Sequence, residues 1–449
     1  MPISSDLKKI IMGKLPLDFN WNNDPHPDSP IPKSIPPEPK ARQLKKIIID
    51  DEGLRDGLHG APEYPRIKEM LRYIKASNKI GIKLMTVGIY SGGGVVDKTT
   101  KKLLKKMAAE YPSVSPVILS LAIKESLQWA TECDQLNPNL QVIVFMGSAP
   151  SRMLVEGWSK SFVLKNLAWA VRKAVKTHKL TVIGATEHTT QTPPDLLRAI
   201  IKTQVTNGAK YFCIADTIGT ARPIGAFRLV KFVKKVLKDI NAENVMIDWH
   251  GHRDIGFSQA NTMAAIAAGA NRVHLVPWGI GERSGNTSLE KFLLNTCQIL
   301  KEADIKPQWD LTELSNLLKI YLEITNNQPV AHGCLSQRAF YTNLGIHTSA
   351  ILKAEQLADE AEKNGYPELS ICLKSMARRV YAGIDPRIVG RKYQIGIGPY
   401  SGSSTVKLWA ISREMKKPSA RTIKKVLTTA KGLRRGLTEK EVYRLMNNK

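Results

Sequence analysis

The stretch Asn244-Val-Met-Ile-Asp-Trp-His-Gly-His-Arg-Asp254, with the helical pattern Gln259 to Ala268 behind it, decides the fold. A short apolar run, Asn244 to Ile247, gives way at once to polar residues, and apolar residues then recur at three- and four-residue spacing. That is the texture of one β-strand followed by one amphipathic helix. The same unit recurs outward in both directions, with further β-rich runs at Ile47 to Ile49, Ile82 to Val87, Pro116 to Leu119, Gln141 to Met146, Leu180 to Ile183, Tyr211 to Ile214 and Arg272 to Val276. Helical patterns fall between them at Pro65 to Ser77, Val163 to Thr177, Pro194 to Thr206 and Ile224 to Asp239. The runs are continuously apolar, as expected for parallel strands covered on both sides by helices. Eight consecutive β-then-α units ending near Ala303 predict an α/β fold, a (βα)8 TIM barrel, in preference to an open doubly wound sheet.

Beyond Gln308 the alternation stops and helical patterns dominate. A glycine-rich piece, Ile395 to Gly402, leads into basic terminal helices. The predicted organisation is a proline-rich arm over residues 1–45, a catalytic barrel over 46–306, a mainly helical accessory region over 307–395 that serves as an active-site lid, and a basic subdomain over 396–449. The arm is too rich in proline for helix or central strand, and nothing in its own barrel stands out as a surface for it.

The chain has 449 residues, with 66 Lys and Arg against 40 Asp and Glu, hence a formal charge of +26. Apolar residues make up 43%, a globular composition. No stretch approaches the roughly 20 apolar residues that span a bilayer, and the N-terminal residues lack the apolar centre of a signal peptide. A soluble, cytoplasmic protein without a membrane partner is expected. Five scattered cysteines with no CxxC argue against a disulfide framework or a thiolate zinc site. From Ile411 onward, twelve Lys and Arg stand against Glu414, Glu439 and Glu441, a net +9. A basic nucleic-acid-binding or scaffold protein on a barrel is therefore the reading from another class, but a solvated helix face is the commoner meaning of such charge.

In a TIM barrel the functional residues follow the strands. After the first strand comes Asp51-Glu-Gly-Leu-Arg-Asp-Gly57, after the seventh Asp248 to Asp254, and after the eighth Gly279-Ile-Gly-Glu-Arg-Ser-Gly-Asn286. Residues two apart in a strand point the same way, so His250 and His252 offer two imidazoles to one point. Asp56 and Asn286 would complete a mixed nitrogen and oxygen set suited to a divalent ion with positions open for substrate and water. Gly92-Gly-Gly94 is better read as a flexible loop than a phosphate cradle, since no GxxxxGK[ST] accompanies it. His26, His188, His274 and His332 lack a partner argument.

Leu54-Arg-Asp-Gly57, Glu187, Asp216-Thr-Ile-Gly219, His250-Gly-His-Arg-Asp-Ile-Gly256 and Gly279 to Asn286 together resemble the DRE-TIM metallolyase superfamily, which includes α-isopropylmalate, homocitrate and citramalate synthases and 3-hydroxy-3-methylglutaryl-CoA lyase. The likeness runs from about Lys46 to at least Leu408. Two features resemble the synthases more than the lyases. The loop before Asn286 lacks the catalytic cysteine of the lyases, and Leu344-Gly-Ile-His347 with Tyr381 to Arg391 is similar to the accessory subdomain of α-isopropylmalate synthase, which reaches over the neighbouring subunit's active site.

The resemblance implies a Claisen-type condensation of acetyl-CoA, or another acyl-CoA, with a 2-oxo acid, of the kind used in amino-acid biosynthesis. Retro-aldol cleavage of an acyl-CoA is the alternative within the superfamily. It implies a divalent metal (Mg, Mn or Zn) on Asp56, His250 and His252, with Asn286 as a weaker ligand. Arg55 would stabilise the enolate and developing alkoxide, Glu187, His347 and Tyr381 would serve acid/base chemistry, and Thr217 would hold the carboxylate of the oxo acid. A homodimer follows from the cross-subunit role of His347 and Tyr381. With no further module after the accessory region, strong leucine inhibition is not expected.

The oxo-acid pocket departs from the family pattern. Asp56-Gly-Leu-His59 stands where Asp-Gly-Glu-Gln is usual, Thr86-Val-Gly88 where Glu-Val-Gly is usual, Ile143 where many synthases place a histidine, and Arg253 where the family has an asparagine. His59, Thr86 and Ile143 should therefore shape a more apolar substrate pocket, poor for 2-oxoisovalerate and better for a bulkier or more apolar partner.

Overall fold

The computed structural model describes residues 21, 28, 38–328 and 333–447. The chain forms two compact units. One comprises residues up to Asp310 together with Leu317–Gln328, and the other comprises Leu311–Asn316 with the residues from Pro329 onward.

In the first unit eight parallel strands, β1 Ile48–Asp51, β2 Leu84–Ile89, β3 Ser115–Leu121, β4 Gln141–Phe145, β5 Thr181–Thr186, β6 Tyr211–Asp216, β7 Met246–Gly251 and β8 Arg272–Leu275, close in sequence order into a barrel. The closing seam pairs Ile48 with Arg272 and Asp51 with Leu275. Each strand is followed by a helix: α1 Ile67–Ile80, α2 Val95–Glu110, α3 Lys124–Asp134, α4 Lys160–Arg172, α5 Pro194–Thr206, α6 Pro223–Asp239, α7 Ser258–Ala268 and α8 Leu289–Glu302. The predicted (βα)8 barrel is thus present.

Sequence decides these elements locally. In β4 the run Gln141-Val-Ile-Val-Phe145 offers β-branched side chains to both faces. In α1, Glu69 accepts the Arg66 amide at 2.7 Å, and Gly81, at φ +104°, ends the helix in the left-handed region where a Cβ is disfavoured.

The barrel interior is divided. Leu84, Val117, Leu119, Ile143, Phe145, Ile183, Ala185 and Cys213, from β2 to β6, form an apolar core. Around β1, β7 and β8 the interior is ionic. Arg272, 1% exposed, lies 2.8 Å from Asp248 and 4.0 Å from Asp50. It also donates to Gln141 at 2.8 Å and stacks over Tyr211. Alternation along β1 turns Asp50 inward and Asp51 outward, where Tyr73 at 2.7 Å and Ser77 at 2.9 Å donate to its carboxylate.

Two expectations are corrected. β2 runs on to Ile89, beyond the predicted end at Val87, because Gly88 interrupts the β-branched pattern without ending the strand; a register shift falls between Thr86 and Gly88. Thr86 consequently lies one layer deeper than expected. The arm lies largely outside the described residues, but Trp21 does dock on its own barrel. It is 2% exposed, packs on Phe232 with ring centroids 5.0 Å apart, donates through Nε1 to the Thr192 carbonyl, and its own carbonyl accepts from Arg228. Asp28 pairs with Arg198.

The second unit contains α9 Gly345–Lys363, α10 Pro367–Arg379, α11 Ser403–Ile411, α12 Ala420–Lys431 and α13 Glu439–Asn447 with a two-stranded parallel sheet, β9 Tyr341–Thr342 and β10 Gln394–Ile395. Its core joins Ile351, Ile397, Val406, Trp409, Val426 and Val442. All five cysteines are free thiols, and among the described residues no helix is long and apolar enough to cross a membrane.

Candidate active site

The C-terminal ends of the strands surround a cavity of about 170 Å³. β7 delivers His250, and the extended chain just after it delivers His252, which bridges to Asn286 in the loop after β8. The loop after β1 delivers Arg55 and Asp56. Asp56, His250, His252 and Asn286 are all buried, and the Nε2 atoms of the two histidines lie 3.1 Å apart. Asp56 Oδ2 is 3.7 Å from His250 Nε2 and 3.8 Å from His252 Nε2. Its other oxygen accepts Asn286 Nδ2 at 2.7 Å. The loop can close this tightly because residue 281 is glycine: a Cβ there would stand 2.1 Å from Asn286 Nδ2 and 2.8 Å from Asp56 Oδ1.

This donor set suits a divalent cation. Asp56, His250 and His252 place ligand atoms within 4.8 Å of one another. Asn286 Oδ1 is buried without a hydrogen-bond partner, and the facing Nε2 atoms of the two histidines converge beside the Asp56 carboxylate, where one cation could take a lone pair from each. Burial, aided by His252, pushes the His250 imidazole down to about 3, and burial lowers His252 as well. Burial opposes ionisation of Asp56, but Arg55 and the two histidines outweigh it and hold the carboxyl well below the usual range. At neutral pH the cluster is therefore one carboxylate and two neutral imidazoles, the protonation state that binds metal.

A second group, Glu52, His250 and His274, also places ligand atoms within 4.8 Å. Its carboxylate is already engaged: Arg55 donates from Nη2 and Nε to the two Glu52 oxygens, each at 2.7 Å, and His274 Nδ1 lies 2.8 Å from Oε1. Burial opposes protonation of His274, but the nearby carboxylates of Asp50 and Asp248 and the bond to Glu52 raise it to about 10. An imidazolium there fills the place a second metal would need.

Neither Glu52 nor His274 stood out in the sequence. His274 sits inside an apolar run, and Glu52 is four residues before Asp56 in a loop whose chemistry is legible from Arg55 and Asp56 alone. Only closure of β8 on β1 brings His274 to Glu52.

The other predicted residues fall in different places. Glu187, Thr217, His59 and Ile143 line the cavity with Arg55. Burial raises the Glu187 carboxyl above its ordinary value, against the opposing pull of Arg152, whose Nε is 3.8 Å away. The Thr217 hydroxyl accepts the His188 amide at 2.8 Å, leaving its own proton to donate. Thr86 does not line the cavity. It is fully buried beneath, and its hydroxyl bonds to both Asp50 oxygens at 3.0 Å, so it is removed from the substrate wall. The β2 contribution to that wall is Ile89. His347 and Tyr381 lie in the second unit, where their rings stack with centroids 3.8 Å apart and His347 Nδ1 is 3.4 Å from Thr342 Oγ1. His26 and His332 fall outside the described residues. The Gly92 loop is no phosphate cradle, since the amides of Ser91 and Gly93 already donate to Asp97.

A closed parallel barrel with titratable groups converging at the strand ends has the architecture of a TIM-barrel enzyme. The chain belongs to the HMGL-like family, whose model matches residues 46–320, more than half of the sequence. The DRE-TIM resemblance in its motifs is thereby borne out. Among curated relatives, the homocitrate synthase AksA of Methanosarcina acetivorans is 29% identical over 367 residues, covering 80% of each chain. The 2-isopropylmalate synthase of Pyrococcus abyssi is 25% identical over 311 residues, 69% of this chain and 63% of that one. Among solved structures, the HMG-CoA lyase of Bacillus subtilis superposes with a TM-score of 0.51 at 21% identity, covering 65% of this chain and 96% of the lyase, a likeness of fold.

Proposed function

We propose that this protein condenses acetyl-CoA, or a related acyl-CoA, with an apolar 2-oxo acid and hydrolyses the resulting thioester, so that one water is consumed and free CoA leaves. The observation that carries the reading is the Asp56, His250, His252 and Asn286 cluster beside Arg55 at one end of a cavity walled by Ile89, Leu119, Ile143, Phe145 and Ala185. The synthase relatives support it. A divalent ion held by Asp56, His250 and His252, with Asn286 as a further oxygen ligand, would supply Lewis acidity to the oxo acid's carbonyl. Thr217 donates its hydroxyl proton to the substrate carboxylate. Glu187, its basicity raised by burial toward working pH, removes a proton from the α-carbon of the thioester. Arg55 directs its remaining N–H groups at the oxygen on which charge develops. His347 and Tyr381 join this chemistry from the neighbouring subunit of a homodimer in a cytoplasmic enzyme.

The apolar wall argues for substrate choice. It offers no partner to a polar group on the oxo acid's side chain, so a long aliphatic chain is preferred to 2-oxoisovalerate, whose short chain leaves the wall unfilled.

The test is a thiol-release assay of a 2-oxo acid series with acetyl-CoA under Mg, Mn and Zn. Oxo-acid-dependent release of free CoA is expected. Cleavage of 3-hydroxyacyl-CoA to intact acetyl-CoA without thiol release would instead establish the lyase reading. Salt-sensitive nucleic-acid binding with no turnover of either kind would reassign the protein to the scaffold class.

A further inference from the structure

We propose that Glu52, itself held by His274, is a positioning residue that acts through Arg55; the inference rests on the condensation reading above. A guanidinium has five N–H donors in one plane. Three of those on Arg55 are committed: Nε and Nη2 each donate to one Glu52 oxygen at 2.7 Å, and Nη1 donates to Asp56 Oδ2 at 2.9 Å. One N–H on Nη1 and one on Nη2 remain. Because the group is planar and gripped on two edges, Glu52 decides where those two donors point.

Glu52 cannot yield easily. It is fully buried, and its Oε1 is also 2.8 Å from His274 Nδ1. His274 in turn is wedged on β8, with Nε2 3.8 Å from Asp50 and 3.7 Å from Asp248. A continuous chain of charges thus runs from the ionic floor of the barrel through His274, Glu52 and Arg55 to Asp56. Arg55 meets both Glu52 oxygens edge-on at 2.7 Å with the carboxylate fully buried, so the clamp is a bidentate salt bridge.

A free Arg55 would attract any anion in the cavity, substrate and product alike. A guanidinium neutralised by Glu52 and fixed in direction favours only an oxygen that gains charge at the right point, which raises kcat rather than uniform binding. Glu52→Gln keeps the shape but removes the charge. We expect kcat to fall roughly 100-fold, the scale of losing one aligned donor to a developing oxyanion, while KM for the oxo acid changes by less than about threefold. His274→Gln, which loosens Glu52 without discharging it, should lose about tenfold in kcat. In an Arg55→Lys background, which keeps a charge but loses the fork that Glu52 grips, neither substitution should cost much further, since coupled residues are not additive. Additive losses, or a rise in KM with kcat intact, overturn the proposal.

A crystal structure of Glu52→Gln reads the clamp independently of turnover. Arg55 displaced from Asp56 supports the assignment, and Arg55 unmoved overturns it. If the wild-type protein condenses no 2-oxo acid, the proposed function has failed and this structure alone decides the role of Glu52.

Discussion

A 2-oxo acid that ends in a second carboxylate should be a poor substrate, and the cavity sets the size of the effect. Beyond the polar cluster its walls are Ile89, Leu119, Ile143, Phe145 and Ala185, the remaining ionisable groups at the rim include Glu187 and Glu282, and among the described residues no lysine lines it. Arg55, the one guanidinium lining it among the described residues, is held by Glu52 and Asp56. The matched pair is 2-oxoglutarate and 5-methyl-2-oxohexanoate, in which an isopropyl group replaces the distal carboxylate at equal chain length. Leaving a charged group without a hydrogen-bond partner costs about 2–3 kcal/mol. Burying the two methyl groups in its place contributes about 0.8 kcal/mol each. The difference of roughly 4 kcal/mol corresponds to about 10³-fold in kcat/KM at 1.36 kcal/mol per decade. Steady-state thiol release with saturating acetyl-CoA measures it. Ile143→His, which returns a hydrogen-bond donor to the wall, should narrow the gap about tenfold. Equal or better use of 2-oxoglutarate by the wild-type protein would refute the account of the wall.

Asp56→Ala and His250→Ala should each lose bound divalent metal and activity together, which equilibrium dialysis with Mn and the thiol assay check side by side; stoichiometric metal in both variants removes them as ligands. In a mixture, Arg55→Gln and His347→Gln protomers, each inactive alone, should recover about a quarter of wild-type activity if His347 works across a dimer, and no recovery places its action elsewhere. Trp21→Ala should lower unfolding stability by about 3 kcal/mol through the lost packing on Phe232, read as a shift in denaturant midpoint. For metal-free protein the sign of one pH effect is set by His274, raised from 6.5 to about 10. The folded state there binds a proton the unfolded chain releases, so this stabilisation is complete below about pH 6.5, declines above it and is gone past about pH 10. Melting temperatures across that window should fall more steeply for the wild type than for His274→Gln, and parallel curves would contradict the assignment.

The sequence by itself determined the order of strands and helices, because each βα unit is written in local periodicity and each polar strand end follows directly on its apolar run. The pair His250 and His252 was legible for the same reason, since alternation along a strand is a local property. Arg55, Asp56 and Asn286 were legible through motifs confined to single loops. Tertiary structure alone decided which of these side chains remain free. Residues 52 and 274 are 222 positions apart, and only the closing seam between β1 and β8 makes Glu52 a clamp on Arg55 and turns His274 into its cation. Depth along the barrel axis is likewise not written locally: β2 continues past Gly88, so Thr86 bonds to Asp50 in the floor while Ile89 takes its place in the wall. Which residues share a strand is a matter of neighbours in the chain, whereas which residues share a proton, a charge or a wall depends on the register that closure imposes.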